Sequence, residues 1–201
     1  MLTVGLTGPS GAGKGTVASL FAAHGIPSVD TDRVYHDLLV PPSPCLDELT
    51  ARFGREILCP DGTLNRGALA AIVFAEGHED DLADLNAITH RHILGVVRER
   101  LAAYAADGIP AVLVDAPQLF ESGFDVECDF ILSVLAPYEV RLARIIARDG
   151  LDEARARARL DASHTDDFFI QRSHAVIVNG GEPNAPEAEV QRLLAAWEVT
   201  S

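Results

Sequence analysis

The sequence predicts an α/β fold in which helices cover both faces of a parallel sheet. Short apolar runs rich in β-branched residues alternate with longer segments whose apolar residues recur at helical spacing. Strands that alternate with helices in this way are typical of a parallel sheet. The first run, residues 2–6, leads through a glycine-rich loop directly into a helical pattern, which is the third sign of this class.

Five short runs predict the strands, and eight segments with helical spacing predict the helices. The expected strands are residues 2–6, 26–29, 111–114, 130–135 and 175–178. The expected helices are residues 14–24, 30–40, 44–54, 66–74, 80–106, 137–148, 152–163 and 186–197. Gly25 and the Pro41-Pro42 pair end the first two helical patterns, and composition makes residues 59–63 a turn.

Length and composition predict one domain over residues 1–201 in a cytoplasmic protein. Apolar residues make up 48% of the chain and charged residues 23%, which is ordinary for a globular protein. Cys45, Cys59 and Cys128 are odd in number and form no CxxC pair, so they predict neither a disulfide framework nor a zinc site. The N-terminus lacks the features of a signal peptide, and the apolar runs are too short to cross a membrane. No pattern sets the oligomeric state.

The charge excludes one large class of partners. Thirty acidic residues against sixteen basic ones give a net charge of -14, which repels nucleic acid and anionic membrane surfaces. Fifteen of the sixteen basic residues are arginine, and the only lysine is Lys14. Because lysine is otherwise absent from the chain, its presence at position 14 indicates a role that arginine cannot fill.

The sequence GPSGAGKGT at residues 8–16 predicts a phosphate-binding loop. Its GxxxxGK spacing falls between a predicted strand and a predicted helix, which is the required context. Glycines let successive N–H groups turn inward toward phosphate oxygens, and the helix adds its N-terminal dipole. The ATP-binding residues expected here are Gly8, Ser10, Gly11, Ala12, Gly13, Lys14, Gly15 and Thr16. The alternative is a tight strand-to-helix turn that uses glycine for steric reasons.

The position after the lysine departs from the general motif. Gly15 stands where a serine or threonine hydroxyl normally meets Mg²⁺, and Thr16 comes next. The loop resembles those of nucleoside monophosphate kinases, cytidylate kinase especially. Contact of Thr16 with Mg²⁺, directly or through water, is therefore a hypothesis.

Further segments resemble the dephospho-CoA kinase family, in order along nearly the whole chain. They are VGLTG (4–8), DTD (30–32), DGTLNR (61–66) continuing to VF (73–74), LNAITH (85–90), DAPQLFE (115–121) and RLARIIARDGL (141–151). The resemblance implies a P-loop NTPase-type parallel sheet, a helical acceptor-binding insertion at about 57–106 and a helical lid at about 141–172. It also implies ATP and Mg²⁺. The stretch 164–174 departs from the family, because Arg172 is its only arginine or lysine.

The resemblance also assigns roles on the acceptor side. Asp32 matches the proposed base for the ribose 3′-hydroxyl, while helix N-capping is the alternative for both Asp30 and Asp32. Asp115 follows an apolar strand and is a candidate for Mg²⁺, with a strand-end turn as the alternative. The expected acceptor-binding residues are Asp32, Arg66, His90, Pro117 and Leu119.

Six of the fifteen arginines lie within residues 141–159. Arg144 and Arg148 are four residues apart, hence on one helical face, and are expected to act on phosphate. A solvated helix of ion pairs is the alternative, and it accounts for the other arginines on residues 152–163. Asn179, Gly180 and Gly181 end the last strand where related kinases place the adenine, although a plain turn explains them equally.

Three functions follow from these patterns. The first is ATP-dependent phosphorylation of the ribose 3′-hydroxyl of dephospho-CoA, giving coenzyme A and ADP. The second is a nucleoside monophosphate kinase, whose phosphate acceptor needs no base, so that Asp32→Ala costs little turnover. The third is a nucleotide-binding module without catalysis, which binds ATP and turns over no acceptor.

Overall fold

A computed structural model describes residues 1–180 and 184–198 of the chain. Five strands form one parallel sheet in the order β2-β3-β1-β4-β5, so the predicted fold class is confirmed. The strands are β1 (Leu2–Thr7), β2 (Ser28–Asp30), β3 (Ala111–Asp115), β4 (Phe130–Leu135) and β5 (Ala175–Val178). The strand β1 lies at the centre, and its Val4 and Leu6 are fully buried.

Nine α-helices lie in the described ranges. They are α1 (Lys14–Ala23), α2 (Thr31–Leu38), α3 (Pro44–Phe53), α4 (Arg66–Val73), α5 (Glu79–Ala106), α6 (Tyr138–Asp149), α7 (Glu153–Asp161), α8 (Asp166–Arg172) and α9 (Ala185–Ala196). Short 3-10 helices occupy Arg55–Ile57 and Phe124–Glu127. The helix α8 was not predicted from the sequence. The second strand begins two residues later than expected, after Pro27, which has no N–H to donate.

Side-chain caps set several helix starts. Asp30 accepts a hydrogen bond from the Arg33 N–H at 3.0 Å and so caps α2. The other side-chain caps in the described helices include Ser43, Asn65, Asp152 and Thr165. Apart from Thr165, whose helix α8 was not predicted, these caps explain why the helices begin within about a residue of the expected positions.

The chain forms two compact units. The first consists of Met1–Val29 and the chain from Leu101 onward, and it contains the core around β1, α1 and α9. The second is Asp30–Arg100. In this unit the side chains of α2 and α3 share a core with those of α4 and α5, and the helical acceptor-binding insertion at about 57–106 stays a prediction. That core comprises Leu39, Cys45, Leu49, Phe53, Ile57, Leu69, Val73 and Ile88.

Within residues 1–180 and 184–198, no helix is both long and apolar enough to cross a membrane.

All three cysteines are free thiols, and two of them are held in the protonated form. Burial raises the pKa of Cys128 to about 12, and nearby acidic residues reinforce the effect. Burial likewise raises the pKa of Cys45 to about 11, with a contribution from Glu48. Because the thiolate is the reactive form, both thiols should be inert at neutral pH.

We therefore expect iodoacetamide at pH 8 to alkylate Cys45 and Cys128 at least about 100-fold more slowly than an exposed thiol of ordinary pKa. The rate at Cys128 should keep rising above pH 10, where an ordinary thiol is already saturated as thiolate. Mass spectrometry of each cysteine peptide measures the rates, with urea-unfolded protein as the control. Equal rates in folded and unfolded protein would contradict the burial argument.

Candidate functional site

The phosphate loop leaves the carboxyl end of the central strand β1 and enters α1. The loop turns through a hydrogen bond from the Ala12 N–H to the Pro9 carbonyl at 3.2 Å. The Ala12 side chain is fully buried in the core and anchors the loop to the sheet. The loop therefore has a fixed position at the edge of the sheet where ligands of open α/β folds gather.

Three loop glycines have backbone conformations and surroundings that exclude a side chain. At Gly11, with φ 78°, a Cβ would lie 2.8 Å from the Arg141 carbonyl oxygen. Gly8 has φ 136°, and a Cβ there would overlap the carbonyl oxygen of Val134 on β4. Gly13 has φ 91°, and a Cβ there would collide with the Asn179 side-chain amide. Gly15, by contrast, has nothing within 4 Å of a Cβ. Glycine is therefore required for space where the loop passes Val134, Arg141 and Asn179, and not at Gly15.

Gly8→Ala should lower the free energy of unfolding by about 2–4 kcal/mol, because it adds backbone strain and a clash with a backbone oxygen. Gly15→Ala lies inside α1 with open space around it and should leave stability unchanged or raise it by up to about 1 kcal/mol. Chemical denaturation of both variants measures the difference. A Gly8→Ala protein as stable as the parent would show that the loop can move away from β4.

Lys14 and the start of α1 form the cationic side of the loop. The Lys14 ammonium donates to the Gly8 carbonyl at 3.2 Å, so the side chain folds back along the loop. Gly13 is the N-cap of α1 and brings no side chain to cap the first turn. The first N–H groups of the helix therefore offer a site for an anion.

The reverse side of the loop is held by two polar side chains. The Arg144 guanidinium of α6 donates to the carbonyls of Gly11 at 3.2 Å, Ala12 at 3.1 Å and Asn179 at 3.0 Å. The buried Asn179 amide donates to the Ala12 carbonyl at 3.0 Å. Arg144 and Asn179, both predicted to meet ATP, thus contact the backbone of the loop. Gly180 packs against Pro137, and Gly181 lies outside the described residues.

Asp115 and Thr16 are the two predicted Mg²⁺ contacts, and both lie in the first unit. Asp115 ends β3 and is paired in register with Leu6 of β1, just before the loop begins. The half-buried Asp115 therefore lies on the strand next to the loop. Thr16 is exposed in the first turn of α1. Carboxylate and hydroxyl oxygens are hard donors of the kind that Mg²⁺ prefers, so this donor set fits the ion.

The arginines of α6 and α7 include several ion pairs. Arg148 forms a two-point hydrogen bond with Asp149 at 2.7 and 2.9 Å, and this contact lowers the pKa of the Asp149 carboxyl. Arg159 also reaches Asp149, at 2.8 Å. Further α7 pairs are Arg155–Asp152, Arg157–Glu153 and, at 3.9 Å, Arg157–Glu139. The α7 arginines thus follow the ion-pair alternative considered from the sequence.

The two predicted acceptor contacts after β3 differ in exposure. Pro117 is half-buried and remains accessible. Leu119 is fully buried and packs against Gly5 of β1, where a Cβ on Gly5 would lie 2.8 Å from its methyl group. The structure therefore places Leu119 in the core of the first unit.

The second unit carries the other acceptor-side residues. Asp30 is the cap of α2, as described, whereas Asp32 is exposed in the first turn of that helix. One turn later on α2, the His36 Nδ1 lies 2.7 Å from the Arg66 guanidinium. His90 is half-buried on α5. The predicted Arg66 is thus joined to a histidine that the sequence analysis did not single out.

The sequence offered one indication of His36: it follows Asp32 by four residues, so the two share a face of the predicted helix.

Known proteins resemble this chain over nearly its whole length. The family model described as dephospho-CoA kinase matches residues 2–184. The dephospho-CoA kinase of Syntrophotalea carbinolica is 40% identical over 195 residues, which cover 97% of this chain and 92% of the relative. That of Moorella thermoacetica is 40% identical over 199 residues, covering 98% and 92%.

Solved structures agree with the fold. A crystal structure of a Thermus thermophilus protein, 30% identical, superposes with a TM-score of 0.81 and covers 100% of this chain and 98% of its own. The dephospho-CoA kinase from Campylobacter jejuni, 23% identical, has a TM-score of 0.69, with 96% and 95% covered, and shows the same fold.

Proposed function

Because this chain belongs to the dephospho-CoA kinase family, we propose that its phosphate loop, Lys14 and Asp32 carry out the ATP-dependent phosphorylation of dephospho-CoA to coenzyme A. The family match over residues 2–184 is the observation that carries this function. This match favours dephospho-CoA over a nucleoside monophosphate as the acceptor. It also decides for a kinase over a binding module without catalysis.

On the donor side, the loop N–H groups and Lys14 hold the β- and γ-phosphates of ATP. Phosphoryl transfer asks the protein mainly for positioning and charge neutralisation. The ammonium of Lys14, already lying along the loop at the Gly8 carbonyl, supports this role. Lysine suits it because its compact charge on a flexible stem can follow the charge that moves during transfer.

Thr16 and Asp115 would hold Mg²⁺, which supplies charge neutralisation at the β- and γ-phosphates when it is bound. Their oxygen donors and their places on α1 and β3, each directly beside the phosphate loop in the first unit, support the assignment. Arg148 would add positive charge by exchanging its Asp149 partner for phosphate oxygens, for which the guanidinium fork is equally suited.

On the acceptor side, Asp32 takes the proton of the ribose 3′-hydroxyl. Its carboxylate is exposed, and the neighbouring Asp30 already supplies the cap of α2, so capping does not account for Asp32. Arg66, His90 and Pro117 are the proposed contacts to the rest of the acceptor. Leu119, also predicted as a contact, is buried in the core.

An ADP-release assay with ATP and Mg²⁺ tests the function, offering dephospho-CoA, CMP, AMP or no acceptor in parallel. Turnover with dephospho-CoA alone is expected. Turnover with CMP or AMP, and none with dephospho-CoA, would overturn the assignment of dephospho-CoA as the acceptor. ATP binding without ADP release in any of the four reactions would favour a nucleotide-binding module that has lost catalysis.

A further inference from the structure

The Ala12 carbonyl accepts hydrogen bonds from two side chains at once. Arg144 Nη1 lies 3.1 Å from this oxygen, and Asn179 Nδ2 lies 3.0 Å from it. Neither residue is close to the loop in sequence, since 132 positions separate Arg144 from Ala12 and 167 separate Asn179 from it. Two distant elements, α6 and the end of β5, therefore meet at one loop peptide.

Holding this carbonyl fixes the direction of an N–H group. The peptide that joins Ala12 to Gly13 is planar and trans, so its carbonyl and its N–H point in opposite directions. With the Ala12 oxygen directed at Arg144 and Asn179, the Gly13 N–H is directed to the other side of the loop. That is the side on which the loop would receive phosphate.

The missing side chain of Gly13 makes room for this arrangement. A Cβ on Gly13 would collide with the Asn179 amide and lie 3.3 Å from Arg144 Nη1. The same nitrogen of Arg144 also holds the carbonyls of Gly11 and Asn179. One guanidinium therefore joins the phosphate loop to the segment that follows β5, where the adenine of ATP is expected.

We propose that Arg144 and Asn179 are positioning residues: they aim the N–H groups of the phosphate loop from its reverse side and join the loop to the base-binding segment. This inference rests on the proposed function only in taking ATP as the ligand. It assigns Arg144 a task that a point charge cannot perform, because Nη1 meets the backbone carbonyls while Nη2 lies 3.5 Å from the Asn179 side-chain oxygen, two directions that one ammonium nitrogen cannot serve together.

The test compares Arg144→Lys, Arg144→Met, Asn179→Ala and the double variant Arg144→Met/Asn179→Ala. The exposed Arg192→Met on α9 is the matched control, since Arg192 pairs with Glu189 three residues earlier on the same helix. Calorimetry measures the Kd of ATP and of inorganic tripolyphosphate without any acceptor. Thermal unfolding shows that each variant is folded.

Arg144→Lys and Arg144→Met should both raise the Kd of ATP by about 10- to 100-fold, and tripolyphosphate should follow the same trend. The effects of Arg144→Met and Asn179→Ala should be less than additive, because both residues hold the Ala12 carbonyl. The KM for dephospho-CoA should change less than about twofold.

Recovery of ATP affinity in Arg144→Lys to within about threefold of the parent would overturn the proposal, since a charge alone would then suffice. Strict additivity in the double variant would also overturn it. If Arg144→Met does not fold, Arg144→Lys and Asn179→Ala still test the proposal, because each must weaken the binding of ATP. A chain that binds ATP but does not phosphorylate dephospho-CoA would refute the proposed function and leave this test readable.

Discussion

Lys14→Met should lower kcat by about 10³-fold, because the variant loses the cation that stabilises the charge of the phosphoryl group during transfer. The KM for ATP should rise far less than kcat falls, since the interaction is strongest in the transition state. Lys14→Arg should recover little, because its planar fork does not match the position that the ammonium takes beside the Gly8 carbonyl. Steady-state kinetics with dephospho-CoA as acceptor measures all three values.

Arg192→Met is the control for removing one positive charge from an acidic protein, and it should keep kcat within about twofold. Arg192 lies on α9 in an exposed pair with Glu189 and has no part in the proposed transfer step. If Lys14→Met kept more than a tenth of the parent kcat, the single lysine of the chain would not be the cation of the transfer step.

Asp32→Asn should lower kcat by about 10²- to 10⁴-fold, because the amide cannot take the proton of the acceptor hydroxyl. The Kd of ATP should remain unchanged, since Asp32 is assigned to the acceptor side alone. Single-turnover measurements with preformed ATP complex separate the chemical step from binding.

Asp30→Ala is the matched control, two residues away. Asp30 caps α2 through its bond to the Arg33 N–H, so its loss should cost about 1 kcal/mol of stability while kcat stays within about threefold. The two neighbouring carboxylates thus predict opposite phenotypes. Equal losses of kcat in both variants would show that the start of α2, rather than one carboxylate, matters for turnover.

Local signals made much of this fold predictable from the sequence. The strand at 130–135 and the strand at 175–178 have the observed bounds, because short β-branched runs between turn residues are unambiguous. The helix starts after Asp30 and Asn65 follow capping residues that the sequence displays. The helix α8 was missed because it has seven residues, of which Phe169 alone is buried, so no apolar period exists.

The candidate site was predictable in its loop and less so around it. The spacing of the glycines and Lys14 defines the loop because every element of the motif is local. The contacts of Arg144 were not visible, since its partners are backbone carbonyls more than thirty residues away in the chain, which no residue type reveals. Leu119 shows a related effect, because a motif gives a position and not the direction of a side chain.

The bare start of α1 makes the nucleotide part of the folding equilibrium. Since Gly13 brings no capping side chain, the proposed ATP site predicts that the phosphates of the nucleotide complete the first turn of α1. A ligand that binds only the folded chain adds RT ln(1 + [L]/Kd) to its stability, about 2.7 kcal/mol at a hundredfold excess over Kd. The proposed site therefore predicts that ATP raises the free energy of unfolding of this chain as its concentration rises above Kd.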